Sequence, residues 1–212
     1  TSNDAKTLYE NSDYKSEFFL VSFFGRFNYI LKDKYNLTFT LRDDGSSRFS
    51  PETRWGLFPS AAFAWTISKE PFFSNNIVTN LKLRLGYGIT GQQNLGSNDY
   101  PYQAIYTYAE PGAYYLFGTT YVQTSRPGGY DINLKWEETT TYNAALDYGF
   151  LKDRITGDID VYYRTTADLI NQIPVPAGTN LTNQIVTNVG NLENKGVEFS
   201  INVKAITKPD FD

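Results

Sequence analysis

Apolar and polar residues alternate along seven stretches of this chain, and that period of two constrains the fold more than any other feature. The apolar positions run Phe19, Val21, Phe23, Gly25, Phe27, Tyr29, Leu31; Tyr35, Leu37, Phe39, Leu41; Ala61, Phe63, Trp65, Ile67; Leu81, Leu83, Leu85, Tyr87, Ile89; Tyr142, Ala144, Leu146, Tyr148, Phe150; Ile155, Gly157, Ile159, Val161, Tyr163; and Val197, Phe199, Ile201, Val203, Ala205. The intervening positions carry Arg26, Arg42, Lys82, Arg84, Asp147, Asp158, Asp160, Arg164, Glu198 and Lys204. Successive side chains point to opposite faces of a strand, so each stretch reads as a β-strand with its charge on one side. One face suits hydrocarbon and the other suits water.

Two architectures produce such strands: a membrane barrel and a soluble sandwich. The connections separate them. Lys32-Asp33-Lys34 and Leu151-Lys152-Asp153-Arg154 are hairpin turns, whereas Asp43 to Arg54, Gly91 to Glu138 and Thr165 to Asn194 are long. Counted in strand order, the long connections fall at one end of the sheet and the short ones at the other, with Ser68 to Asn80 an intermediate exception. Outer-membrane barrels sort their loops this way, long outside and short in the periplasm. The expected fold is therefore all-β, an antiparallel up-and-down transmembrane barrel segment. Bacterial barrels have an even number of strands and at least about 8, so seven strands read as one arc of a larger barrel. Residues 1–16 are expected to be the remnant of an extracellular loop, 17–206 the wall with long extracellular loops at 44–54, 91–138 and 165–194, and 207–212 a periplasmic turn.

Composition removes most other functions. Tyr 17, Phe 15 and Trp 3 make the chain 17% aromatic, which suits strands and membrane girdles. With neither cysteine nor histidine, the chain has no disulfide, no thiolate chemistry and no imidazole base or ligand. No enzyme, metal site or cofactor is expected. A net charge of -4 without a basic segment argues against a nucleic-acid partner. The mean hydropathy of -0.43 says little, because a barrel hides its lipid face in alternate positions.

Several segments resemble one family. Phe23-Phe24-Gly25-Arg26-Phe27-Asn28-Tyr29, the run from Tyr35 to Phe49, Arg54-Trp55-Gly56-Leu57-Phe58-Pro59-Ser60, the run from Leu83 to Gln93, Trp136 to Asn143, and Asn188 to Glu198 are similar to the SusC/RagA family of TonB-dependent outer-membrane transporters. The resemblance implies uptake of oligosaccharides or peptides across the outer membrane of a Bacteroidota-type bacterium. It further implies energy from the TonB complex through parts absent from this chain, a SusD-like surface lipoprotein as partner, the rest of the same barrel as neighbour, and outer-membrane lipid around it. A soluble all-β carbohydrate-binding or adhesin domain is the alternative from another class, with the apolar register as its sandwich core.

The ten charged residues of the polar register are expected to face the lumen. Gly86-Tyr87-Gly88-Ile89-Thr90-Gly91 spells a dinucleotide fingerprint but leads into a loop rather than a helix, so Gly86 and Gly88 are expected to face the lumen where something packs closely. Asp158 and Asp160 share a face with Arg164 and read as polar wall rather than paired catalytic carboxylates. In the longest loop Tyr100, Tyr102, Tyr106, Tyr108, Tyr114, Tyr115, Tyr121 and Tyr130 are candidates for ligand contact, since each ring offers an apolar body and a polar tip. Partner contact and packing within the loop remain open for the same residues. Ile173-Pro174-Val175-Pro176 is expected to be extended, and Pro71-Phe72-Phe73 to lie in a short helix or turn.

Overall fold

A computed structural model describes residues 15–74, 77–96, 99–107, 114–178 and 182–205. In chain order the elements are β1 (Leu20–Leu31), β2 (Tyr35–Ser46), β3 (Trp55–Thr66), a 3-10 turn (Ile67–Lys69), β4 (Val78–Gln92), β5 (Tyr106–Thr107), β6 (Tyr114–Phe117), β7 (Thr120–Gln123), β8 (Arg126–Pro127), β9 (Glu137–Phe150), β10 (Ile155–Ala167), β11 (Ile170–Pro174), β12 (Gln184–Asn188) and β13 (Leu192–Val203). Seven of them form one antiparallel sheet in the order β1-β2-β3-β4-β9-β10-β13. The other ladders, β5-β8, β6-β7 and β11-β12, are two-stranded and belong to the long connections.

The sheet strands are 12 to 15 residues long, more than the roughly 9–11 needed to cross a bilayer. Their registers line up from edge to edge. One row reads Tyr29, Leu37, Phe63, Leu85, Ala144, Val161, Val197, and the next on the same face Leu31, Tyr35, Trp65, Leu83, Leu146, Ile159, Phe199. Phe39 is 46%, Leu85 43%, Ile159 38% and Phe199 64% exposed, so no second sheet covers this face and the sandwich alternative lacks its core. The apolar register holds charge only toward the long-loop end, at Asp43, Glu138, Glu193 and Lys195, where the strands run past the stretches that alternate cleanly in sequence.

Aromatic rings gather at both ends of the uncovered face. Phe23 stacks on Trp55, and Tyr87, Tyr142 and Tyr163 form a row nearer the long loops. Near the short turns Tyr35 stacks on Trp65, and Tyr148 lies against Phe150 and Phe199. Amphipathic rings prefer the boundary between apolar and wet surroundings, and the row between these groups is mostly aliphatic, with Leu37, Leu85, Ala144, Val161 and Val197 beside Tyr29 and Phe63. At the short-turn end Glu70 ties this boundary together. Its carboxylate accepts hydrogen bonds from Tyr35 Oη at 2.5 Å, Lys34 Nζ at 3.0 Å and Trp65 Nε1 at 3.1 Å. Those donors, Tyr35 first, lower the Glu70 pKa from 4.5 to about 2.

Differences from the sequence expectation are local. Ile67 leaves the strand for the 3-10 turn. The Ile173-Pro174 segment is not simply extended but closes an antiparallel ladder, Ile170–Pro174 on Gln184–Asn188. In the hairpin turns Lys32, Asp33, Leu151, Lys152 and Asp153 all have positive φ without being glycine. Positive φ at consecutive turn residues matches the twist of the flanking strands, which explains why these turns close without the usual Asn-Gly signal.

Candidate functional site

The face opposite the uncovered one is zoned from end to end. Its rows, beginning nearer the long loops, are Arg26, Thr40, Ser60, Gly88, Thr141, Arg164, Asn194; then Asn28, Thr38, Ala62, Gly86, Asn143, Tyr162, Gly196; then Ile30, Asn36, Ala64, Arg84, Ala145, Asp160, Glu198; then Thr66, Lys82, Asp147, Asp158, Ser200. The first two rows hold hydroxyls, amides, small residues, Tyr162 and two arginines but no acid; among these four rows acids enter only in the last two, and at the loop end the same face carries Asp44 and Glu137. Cavities of about 300 Å³ and 220 Å³ open over the small residues, lined by Ser60, Ala62, Gly86, Gly88 and Asn143 among others. A Cβ on Gly86 would meet only Asn143 Cβ among the described residues, at an ordinary 3.7 Å, whereas one on Gly88 would fall 3.2 Å from Ser60 Cβ, so the close packing is at Gly88.

The lower rows hold an ionic cluster. Arg84 grips Asp147 through Nη2 at 2.8 Å and Nε at 3.0 Å, and reaches Asp160 at 3.5 Å. Asp158 accepts a short hydrogen bond from Ser200 Oγ. Register sets Lys82 beside Asp147 and Glu198 beside Asp160, while Lys204 follows the end of β13, with its backbone N–H on Arg154 O. Nearer the loops Arg42 donates to Asp44 at 2.7 Å and to Ser22 at 2.8 Å, and Arg26 to Thr40 at 3.2 Å. Arg164 stands over the Tyr162 ring, 6.0 Å from its centroid. The Asp158/Asp160 pair is thus spoken for by Ser200 and Arg84, and among the described residues no group of His, Cys, Asp and Glu forms a metal site.

A small dry core closes the long-loop end, and nothing periodic in the sequence announces it. Phe49, Phe58, Leu95, Leu134 and Trp136 pack together, with Ile89, Ile170 and Val186 at its margin. Trp136 lies 5.2 Å from Phe49 and 5.4 Å, edge-on, from Phe58, and donates Nε1–H to Arg54 O at 2.9 Å. Phe58 comes from the polar register of β3, opposite Arg42. Its ring rests on Gly91, where a Cβ would fall 2.1 Å from Phe58 Cζ. Sequence alternation alone assigned that register to water.

The tyrosines of the longest connection divide. Tyr100, Tyr102 and Tyr130 are half-buried at its base; Tyr100 donates to Glu17 O and meets Tyr102 edge-on at 6.3 Å. Tyr106, Tyr114, Tyr115 and Tyr121 are exposed, Tyr121 by 70%, on the ladders β5-β8 and β6-β7. Tyr108 lies outside the described residues. Beneath them Arg48 pairs with Asp99 at 2.6 Å; that carboxyl sits below its ordinary range, first through Ser16 Oγ–H and then through Arg48.

The family model described as "TonB dependent receptor-like, beta-barrel" matches residues 1–211. The chain is 54% identical, over 99% of its length, to the TonB-dependent receptor SusC of Bacteroides thetaiotaomicron, covering 21% of that protein. It is 38% identical over 94% of its length to a TonB-dependent receptor of Formosa agariphila, covering 20% of it. Among solved structures, the RagAB peptide importer in its open-open state superposes with a TM-score of 0.80 at 28% identity, over 92% of this chain and 20% of that one. The chain thus spans about a fifth of the length of the relatives it matches. It belongs to the TonB-dependent receptor β-barrel family, as a seven-stranded segment of an outer-membrane barrel wall.

Proposed function

We propose that these strands form part of the wall of a TonB-dependent importer of oligosaccharides or peptides, with lipid on the uncovered face and a water-filled lumen on the zoned polar face. The observation that carries this reading is the register. Seven strands present apolar rows on one side and hydroxyl, amide and ionic rows on the other, and the apolar side is left open. The long connections then lie outside the cell, where a SusD-like lipoprotein meets the exposed tyrosine ladders. The RagAB importer and SusC are the relatives that support this assignment.

This segment has no cysteine, so with any cysteine elsewhere in the transporter replaced, introduced thiols report on their own surroundings. In the full-length transporter in intact cells, Asn143→Cys should react with a small membrane-impermeant maleimide, and Leu85→Cys should not. Equal labelling at the two positions rejects the wall. For the loop, replacing Tyr106 and Tyr121 with alanine should reduce substrate capture and recovery of the copurifying lipoprotein. Unchanged capture and copurification would leave those rings with loop packing only.

A further inference from the structure

We propose that a cavity on the loop-side half of the polar face, built around Arg164, binds an oxyanion group (carboxylate, sulfate or phosphate) carried by a passing solute. The inference rests on the reading of that face as wet. The cavity measures about 440 Å³ and is lined by Thr90, Thr139, Thr141, Thr166, Asn194 and Arg164, with Leu192 at one side. No carboxylate lines it. Every one of these residues belongs to the polar register of β4, β9, β10 or β13, so the site is part of the sheet rather than of a loop.

Arg164, and Arg26 which donates to Thr40 in the same row, stand apart from the acid-paired arginines. Arg84 is held by Asp147 and Asp160, Arg42 by Asp44, and Arg48 by Asp99. Among the described residues Arg164 pairs with no acid; its guanidinium rests over Tyr162 instead. In its own row it is flanked by the Thr141 hydroxyl and the Asn194 carboxamide. Thr139 and Thr166 hydrogen-bond each other at 2.8 Å, which fixes the rim of the cavity. A guanidinium fork beside hydroxyl and amide donors matches a planar or tetrahedral oxyanion. A cationic group would be repelled. The acids Asp147, Asp158, Asp160 and Glu198 begin two rows further on, so an oxyanion is attracted at this level and disfavoured below it.

The test uses the full-length transporter purified in detergent. Binding is measured for a neutral hexapeptide with a free C-terminal carboxylate, the same peptide as its amide, a glucuronate-terminated oligosaccharide and its neutral glucose counterpart. Wild type should prefer an acid member over its neutral partner by about tenfold, the scale of a hydrogen-bonded charge pair. The peptide and sugar arms tell which source supplies the group. Arg164→Gln should abolish the preference, and Thr141→Val should narrow it with Arg164 intact. A preference missing from wild type, through equal binding or none, overturns the site, as does one that survives Arg164→Gln. Arg164→Cys labelling by a soluble maleimide keeps the two readings apart. An unreactive thiol sinks the wet lumen, whereas a reactive thiol without oxyanion preference sinks the site alone.

Discussion

The loop-end core and the sheet beneath it use the same apolar residue types in opposite ways. Phe49 and Leu134 are fully buried among partners drawn from distant parts of this chain, whereas Phe199 in the sheet keeps 64% of its surface open. The cap therefore carries its own hydrophobic contacts, and the sheet borrows its apolar environment from outside the polypeptide. Cavities in the cap and charges on the sheet should accordingly have different consequences.

The largest effect is expected in the cap. Trp136→Ala removes the ring wedged between Phe49 and Phe58 and should cost about 3–5 kcal/mol locally. Hydrogen exchange in the full-length protein should quicken at residues 46–54 and 131–136 and stay slow in β9 and β10. Quickening throughout the sheet would show that the two regions unfold as one.

Next comes the sheet itself. Val161→Arg, in the middle of the uncovered face, should cost about 2–4 kcal/mol when folding into vesicles is titrated with urea. Thr38→Arg on the opposite face should stay within about 0.5 kcal/mol, as a surface change does. Equal penalties would erase the distinction between the faces.

The smallest effect sharpens the boundary between the regions that are wet and those that are not. Glu70 has its folded pKa depressed to about 2, so its contribution is complete above 4.5 and is lost as pH falls from there toward 2. Over that window Trp65 emission should shift in wild type as its Nε1–H loses an anionic acceptor, and Glu70→Gln should flatten the response. A shift of the same size in Glu70→Gln would assign it to another group.

Much of the sheet is legible in sequence because alternation reports which face each side chain takes, and the hairpin turns fix strand neighbours. Phe27 opposite Phe39 and Ile155 opposite Phe150 follow from the turns alone. The cap is not legible, since Phe49, Phe58, Leu95, Leu134 and Trp136 have no common period and meet only after the long connections fold back. The Arg84–Asp147 pair is hidden for a related reason: its two strands pair across the longest connection, whose length says nothing about register. Alternation assigns these charges to one register, but it does not say which arginine keeps a partner: Arg84 pairs with Asp147 of the adjacent strand and Arg48 with Asp99 of a loop.

The edge-to-edge register also limits how this wall can change over time. A one-residue insertion within β9 would invert everything after it, turning Asp147 outward and Tyr148 inward and breaking the rows shared with β4 and β10. Length variation is thus confined to the connections, or to paired insertions that preserve parity, and relatives can diversify their mouths freely while their staves stay in step.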